Sequence, residues 1–184
     1  ILADLMRDKG AQPDAVAGHS LGEYVALYAA GAFSFEVGLR LVQRRAELMD
    51  NAAGGEMAAL MKFDRTQLED AIAQTENVVL ANDNSPAQAV ISGSPEAFKT
   101  ILDKVKARRA VKLNVSGAFH SPLMAPAAAE FEQVLDSVSF DDASVPVLSN
   151  VDPAPATDAN TLKQRLVDQM TGSVRWREIA LRLP

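Results

Sequence analysis

Cysteine is absent from these 184 residues. That excludes a disulfide framework, a thiol nucleophile and any zinc site built on thiolates. Histidine is almost as scarce, with 2 in the chain, so any reaction that needs an imidazole base has little choice. No apolar run approaches the roughly 20 residues of a membrane helix, and a soluble, cytoplasmic protein is expected. Positive charge is in deficit. A net charge of −6 argues against a dedicated nucleic-acid binder, which needs a basic face to neutralise phosphates. A secretory signal is missing too: Ile-Leu-Ala-Asp-Leu-Met has neither a basic start nor a small-residue cleavage site. Ile1, Leu2, Leu5 and Met6 have helical spacing, so the sequence reads as entered partway through a helix, as a fragment would be.

What is present is ordinary globular composition, 48% hydrophobic and 23% charged. The length suits one domain, or one with a small insertion. Asp14 to Ala17 reads as a strand leading into Gly18-His19-Ser20-Leu21-Gly22, and a helix follows from Leu21 to about Ala30, ended by Gly31. Ser34 can cap the next helix, which runs to about Asn51. The middle of the chain then reads as strand (Met57 to Phe63), helix (Asp64 to about Gln74), two strands (Val78 to Asn82, Gln88 to Ser92), a helix begun by Ser94-Pro95, and a strand in which Val111, Leu113 and Val115 alternate with polar residues. This βαββαβ order is the ferredoxin-like arrangement. Beyond it come a helix near 125–135, a strand at Val145 to Asn150, a helix near 161–170 and an apparent last helix. The fold class predicted is α/β. Residues 1–55 and 117–184 form a hydrolase-like parallel-sheet body, and residues 56–116 form an inserted ferredoxin-like subdomain.

Gly-His-Ser-Leu-Gly between a strand and a helix matches G-x-S-x-G in the context a nucleophile elbow requires. Its glycines allow a tight turn that lifts the Ser20 hydroxyl, and the Leu21 N–H lies where it can hold an oxyanion. A serine hydroxyl needs a base within reach. His19 is its neighbour, and side chains diverge at such a turn. His120, in Gly117-Ala118-Phe119-His120-Ser121-Pro122, is left as the base. On a helical wheel, Arg45 falls near the centre of the arc formed by Val37, Leu41, Val42, Leu48 and Met49. An inward guanidinium needs an anionic partner. Position alone leaves two candidates: an internal Asp or Glu, or a substrate carboxylate clamped from two sides. Lys104, Lys106, Arg108, Arg109 and Lys112 form a basic cluster, either a solvated helix end and strand edge or a dock for an acidic partner.

Taken together, several segments resemble the malonyl-CoA:acyl carrier protein transacylase family. They are Gly-His-Ser-Leu-Gly-Glu at 18–23, Val-Gln-Arg-Arg-Ala-Glu-Leu-Met around Arg45, Val-Ile-Ser-Gly before Ser94, and Gly-Ala-Phe-His-Ser-Pro-Leu-Met at 117–124. The resemblance covers essentially the whole chain, and it implies a hydrolase-like body with a ferredoxin-like insertion. It also implies Ser20 as nucleophile, His120 as base and Arg45 as clamp for the malonyl carboxylate. Gln169 would orient the histidine through its main-chain carbonyl, and Phe119 would crowd an α-methyl branch. Malonyl-CoA and acyl carrier protein are the implied partners, with coenzyme A and phosphopantetheine thioesters as substrates, no cofactor or metal, and a monomer expected. An acyltransferase domain of a polyketide or multifunctional fatty-acid synthase is the alternative, as is a carrier-binding homologue without turnover. The family's Gly-Gln-Gly strand and Gly-Pro-Gly segment have no counterpart in these residues.

Overall fold

A computed structural model describes residues 1–52 and 54–183. In chain order the elements are α1 (Leu2–Asp8), β1 (Val16–Ala17), α2 (Gly22–Ala29), α3 (Phe35–Asn51), β2 (Glu56–Phe63), α4 (Arg65–Ala73), β3 (Val78–Ser85) and β4 (Gln88–Gly93). They continue with α5 (Pro95–Lys104), β5 (Ala107–Lys112), a 3₁₀ turn (Pro122–Met124), α6 (Ala125–Asp136), β6 (Val147–Leu148), α7 (Ala159–Gln169) and α8 (Trp176–Arg182).

Local chemistry sets many of these boundaries. Ser34, Asp64, Ser94 and Asp158 each sit in extended backbone and accept a hydrogen bond from an N–H three residues on, so α3, α4, α5 and α7 start where a side chain satisfies a free donor. Gln67 does not complete a capping box with Asp64; its side-chain oxygen instead accepts the Lys106 N–H at 2.8 Å. After α2, Gly31 takes φ +80°, the left-handed conformation that suits a residue following a helix end.

Two sheets organise the molecule. β1 and β6 pair in parallel, Val16 opposite Val147 and Ala17 opposite Leu148. Around them α2, α3, α6 and α7 bury Leu27, Leu41, Phe131, Leu135, Leu162 and Leu166 in one core. The second sheet has the order β3-β4-β2-β5 with every neighbouring pair antiparallel. Together with α4 and α5 this is the ferredoxin-like arrangement expected from the sequence. β2 is apolar on both faces because both are covered. Ala58 and Leu60 join Leu68, Ile91 and Ile101 under the helices, whereas Met57 and Ala59 join Ala81, Val90, Leu113 and Phe119 on the other side. Phe119 also packs on the core of the first sheet, so it stands at the junction of the two.

Four strands differ from the expected spans, β3 by running on from Asn82 to Ser85. β1 is two residues long, with Asp14 and Ala15 outside the ladder. β6 stops at Leu148 because the hydrogen bonds of Asn150 leave the sheet: its N–H goes to the Glu23 carboxylate and its carbonyl to the Arg175 N–H. β5 lies at 107–112 rather than 111–115, since its register pairs Ala107 with Phe63 and Lys112 with Ala58. Charged residues are tolerated on that edge strand, so apolar alternation marked only its end.

Candidate active site

The turn after β1 is built around one strained residue. Ser20 has φ +50°, a left-handed conformation that costs a non-glycine residue about 1–3 kcal/mol and persists only when its surroundings hold it. Asn150 supplies much of that hold. Its Oδ1 accepts the Ser20 N–H at 2.6 Å and its Nδ2 donates to the Gly18 carbonyl at 2.7 Å. Gln169 Nε2 donates to the Ser20 carbonyl at 3.1 Å. Gly18 is required by space, because a Cβ there would lie 1.9 Å from the Gly22 carbonyl oxygen. A Cβ on Gly22 meets nothing within 4 Å, so the expectation that both flanking glycines make room holds for the first alone. The N–H groups of Gly22, Glu23 and Tyr24 are engaged within the turn and that of Ser20 by Asn150; among the described residues that of Leu21 has no such partner, and it sits at the start of α2.

His120 comes to the same point from the segment after β5, also at positive φ (+56°) and 4% exposed. Its Nε2 is 2.8 Å from Ser20 Oγ and its Nδ1 is 2.8 Å from the Gln169 carbonyl oxygen. A carbonyl can only accept. Nδ1 therefore carries the proton, and the Nε2 lone pair faces the serine hydroxyl. Burial pushes the His120 pKa down to about 4; the Gln169 carbonyl opposes this and the Arg45 charge adds to it. The ring is neutral at pH 7, the form a general base needs. His19 is exposed and turned elsewhere, its Nε2 2.8 Å from Asn84 Oδ1 and its ring edge-on to Trp176.

Arg45 reaches the serine from α3, as its place on the buried arc required. It is 6% exposed, and its Nη2 donates to Ser20 Oγ at 3.0 Å and to Gln169 Oε1 at 3.2 Å. Its Nε is buried without a partner. Among the described residues no carboxylate pairs with it, whereas its neighbour Arg44 pairs with Glu47 and Glu130 at the surface. Burial lowers the Arg45 pKa, and Tyr24 and Glu23 act in the opposite direction. The internal ion pair, one of the two readings open from the sequence, is not what these residues form. A cavity of about 590 Å³ opens over the site, lined among others by Ser20, Arg45, Met49, Phe119 and His120. No group of three or more potential metal ligands gathers among the described residues.

Sequence reasoning did not single out Asn150 or Glu23. Glu23 lies between Ala26 and Leu27 on the buried face of α2, a carboxylate on an apolar helix, and that was a usable signal. Asn150 carried none beyond its position at the end of an expected strand.

The model of the acyl transferase domain family matches residues 1–183. The chain belongs to that family. Within it, the chain is 62% identical over 183 residues to the malonyl CoA-acyl carrier protein transacylase of Synechocystis sp., covering 100% of this chain and 62% of that protein. It is 43% identical over 182 residues to the transacylase of the same name from Bacillus subtilis, covering 94% of this chain and 57% of that protein. Among solved structures of acyl transferases, the Synechocystis transacylase superposes with a TM-score of 0.96 at 62% identity, over 99% of this chain and 62% of that one. A malonyl-transacylase in complex with a type II polyketide acyl-carrier protein superposes with a TM-score of 0.91 at 36% identity, over 98% of this chain and 62% of that one. This acyl transferase chain thus spans about three-fifths of the length of these relatives.

Proposed function

We propose that the protein transfers a malonyl group from malonyl-CoA to the phosphopantetheine thiol of an acyl carrier protein, through a malonyl ester on Ser20. One observation carries this reading. A buried guanidinium, unpaired with any carboxylate among the described residues, stands 3.0 Å from the nucleophilic oxygen. A serine hydrolase for neutral esters has no use for that cation, whereas a short dicarboxylic acyl group supplies the missing anion.

In the first half-reaction His120 Nε2 takes the Ser20 hydroxyl proton as Oγ bonds to the thioester carbon. The carbonyl electrons move to oxygen, where the Leu21 N–H donates a hydrogen bond. The oxyanion then collapses, the C–S bond breaks, and the His120 proton passes to the coenzyme A sulfur. In the second half the carrier thiol gives its proton to His120 and attacks the ester. The C–Oγ bond breaks, and the proton returns to Ser20. Gln169 keeps the imidazole in the required tautomer throughout. Arg45 exchanges its neutral acceptors, Ser20 Oγ and Gln169 Oε1, for the malonyl carboxylate, with Nε and the Nη groups available for a two-point contact. Proton and acyl movements between oxygen and sulfur require no cofactor. Phe119, in the cavity wall, is the residue that would exclude an α-methyl branch. We place the reaction in the cytoplasm. The carrier of fatty-acid or polyketide synthesis would present the same thiol to this site.

Incubating the full chain with an equimolar mixture of malonyl- and methylmalonyl-CoA tests the scheme in one sample. Mass mapping should find one malonyl group on Ser20, discharged by phosphopantetheine thiol, and Phe119→Ser should admit methylmalonyl. An unlabelled Ser20 would remove the acyl-enzyme, and a label lost to water as fast as to thiol would make the protein a hydrolase.

A further inference from the structure

Glu23 is wholly buried, and no step above uses it. Among the described residues its carboxylate has no cationic partner within ion-pair distance. Oε2 accepts two hydrogen bonds instead, from the Asn150 N–H at 3.0 Å and from Gln169 Nε2 at 2.7 Å, while Oε1 has no partner. Burial raises the carboxyl pKa, and the Gln169 and Asn150 donors pull it back. Removing a carboxylate from water without an ion pair costs several kcal/mol, and an apolar side chain of the same volume would pack there without that penalty.

The two donors explain the exception. Asn150 is the residue that holds the strained serine turn at both Gly18 and Ser20. Gln169 touches every member of the site: its carbonyl takes His120 Nδ1, its Nε2 reaches the Ser20 carbonyl, and its Oε1 faces Arg45. The orientation of that side-chain amide follows from its neighbours. Glu23 and the Ser20 carbonyl are both acceptors, so the NH₂ group must face them and the oxygen must face the guanidinium. Were the amide free to turn, it would present a donor to a donor at Arg45.

We propose that Glu23 is a positioning residue, which fixes the Gln169 amide and the Asn150 main chain and thereby holds Arg45 and Ser20 in register with His120. What the position requires is an acceptor oxygen at that depth rather than a negative charge. The proposal rests on the malonyl-transfer reading of the site, and its test separates the two.

The readout is the ratio of Ser20 acylation rates with malonyl- and acetyl-CoA in the full chain. That ratio is independent of how much of a sample is folded. Glu23→Met keeps the volume and removes the acceptor, Glu23→Asp withdraws the oxygens by one methylene, and Glu23→Gln keeps an acceptor in place. A misplaced clamp should lower the ratio about tenfold in E23M and E23D, while E23Q stays within about twofold of wild type. Wild-type ratios in both E23M and E23D, or a loss in E23Q as large as in E23M, would overturn the positioning role. Failure of the wild-type protein to acylate at all would instead remove the reading on which it rests.

Discussion

At the scale of single residues, the site depends on two side chains held in backbone conformations that non-glycine residues avoid. Ser20 and His120 both lie at positive φ, and each is fixed by hydrogen bonds from elements distant in sequence. The strain places a hydroxyl and an imidazole nitrogen 2.8 Å apart before substrate arrives. Burial then sets the protonation state. A His120 pKa lowered to about 4 means that the neutral base is present from physiological pH down to about pH 5 and is lost as acid protonates it below that. The rate of acylation by acetyl-pantetheine, which has no titrating group, should therefore be flat from pH 7 to about 5 and fall through a midpoint near 4 in kcat/KM. A midpoint at the ordinary value of 6.5 would mean that the ring is open to water.

At the scale of elements, the site lies where the two sheets meet, and one cluster fastens them. Asp83 on β3 is 5% exposed and accepts Arg65 Nη2 from α4 at 2.8 Å and Arg177 Nε from α8 at 2.9 Å. Beside it the Asp83 N–H bonds the Val174 carbonyl and the Val174 N–H bonds the Ala81 carbonyl, which continues β3 into the C-terminal part of the chain. Asp83→Ala would leave two partly exposed guanidiniums without their shared acceptor. The loss should be about 2 kcal/mol, less than for a fully buried pair, and a urea titration would show it. An unchanged midpoint would mean that the two sheets are joined by their apolar contacts alone.

Most of these elements were legible in the sequence because caps, glycines and apolar spacing are local signals. Ser34, Ser94-Pro95 and the stripe of Phe98, Ile101 and Leu102 each encode their own structure. The ends of β5 and β6 were not legible, since register with β2 and the bonds of the Asn150 main chain to Glu23 and Arg175 set them across the fold. The same distinction divides the site. Ser20, His120 and Arg45 could be found from a motif, a scarcity of histidine and a helical wheel. Whether Arg45 met an internal acid could be decided only by the arrangement of α2, α3 and α7. Asn150 acts through main-chain and amide hydrogen bonds that leave no mark in composition or periodicity, whereas Glu23 shows as a carboxylate on the apolar face of α2 without showing what it holds.

At the scale of the whole molecule, basic residues gather along one sheet edge. The chain carries −6 overall, yet Lys106 just before β5 and Arg108, Arg109 and Lys112 on it are exposed, along the edge strand that leads into Ser116 and Phe119 at the cavity. An acidic carrier approaching that edge would meet several cationic side chains, of which Lys112 is paired with Glu56. Replacing both Arg108 and Arg109 by Glu should raise the carrier's KM about tenfold at low salt, and by less as salt screens the pair. A KM that does not move would remove β5 as a docking surface.

In the proposed reading, the buried cation beside the nucleophile turns a general serine acyl site into one for a carboxylated acyl group. Arg45→Ala tests this most directly, with acylation of Ser20 measured for malonyl-CoA and acetyl-CoA side by side. The malonyl rate is expected to fall about 100-fold or more, because a charged hydrogen-bonded pair of this kind contributes about 3 kcal/mol. The acetyl rate is expected to stay level or rise. An equal fall in both would show that Arg45 supports the fold of the site and does not choose its substrate.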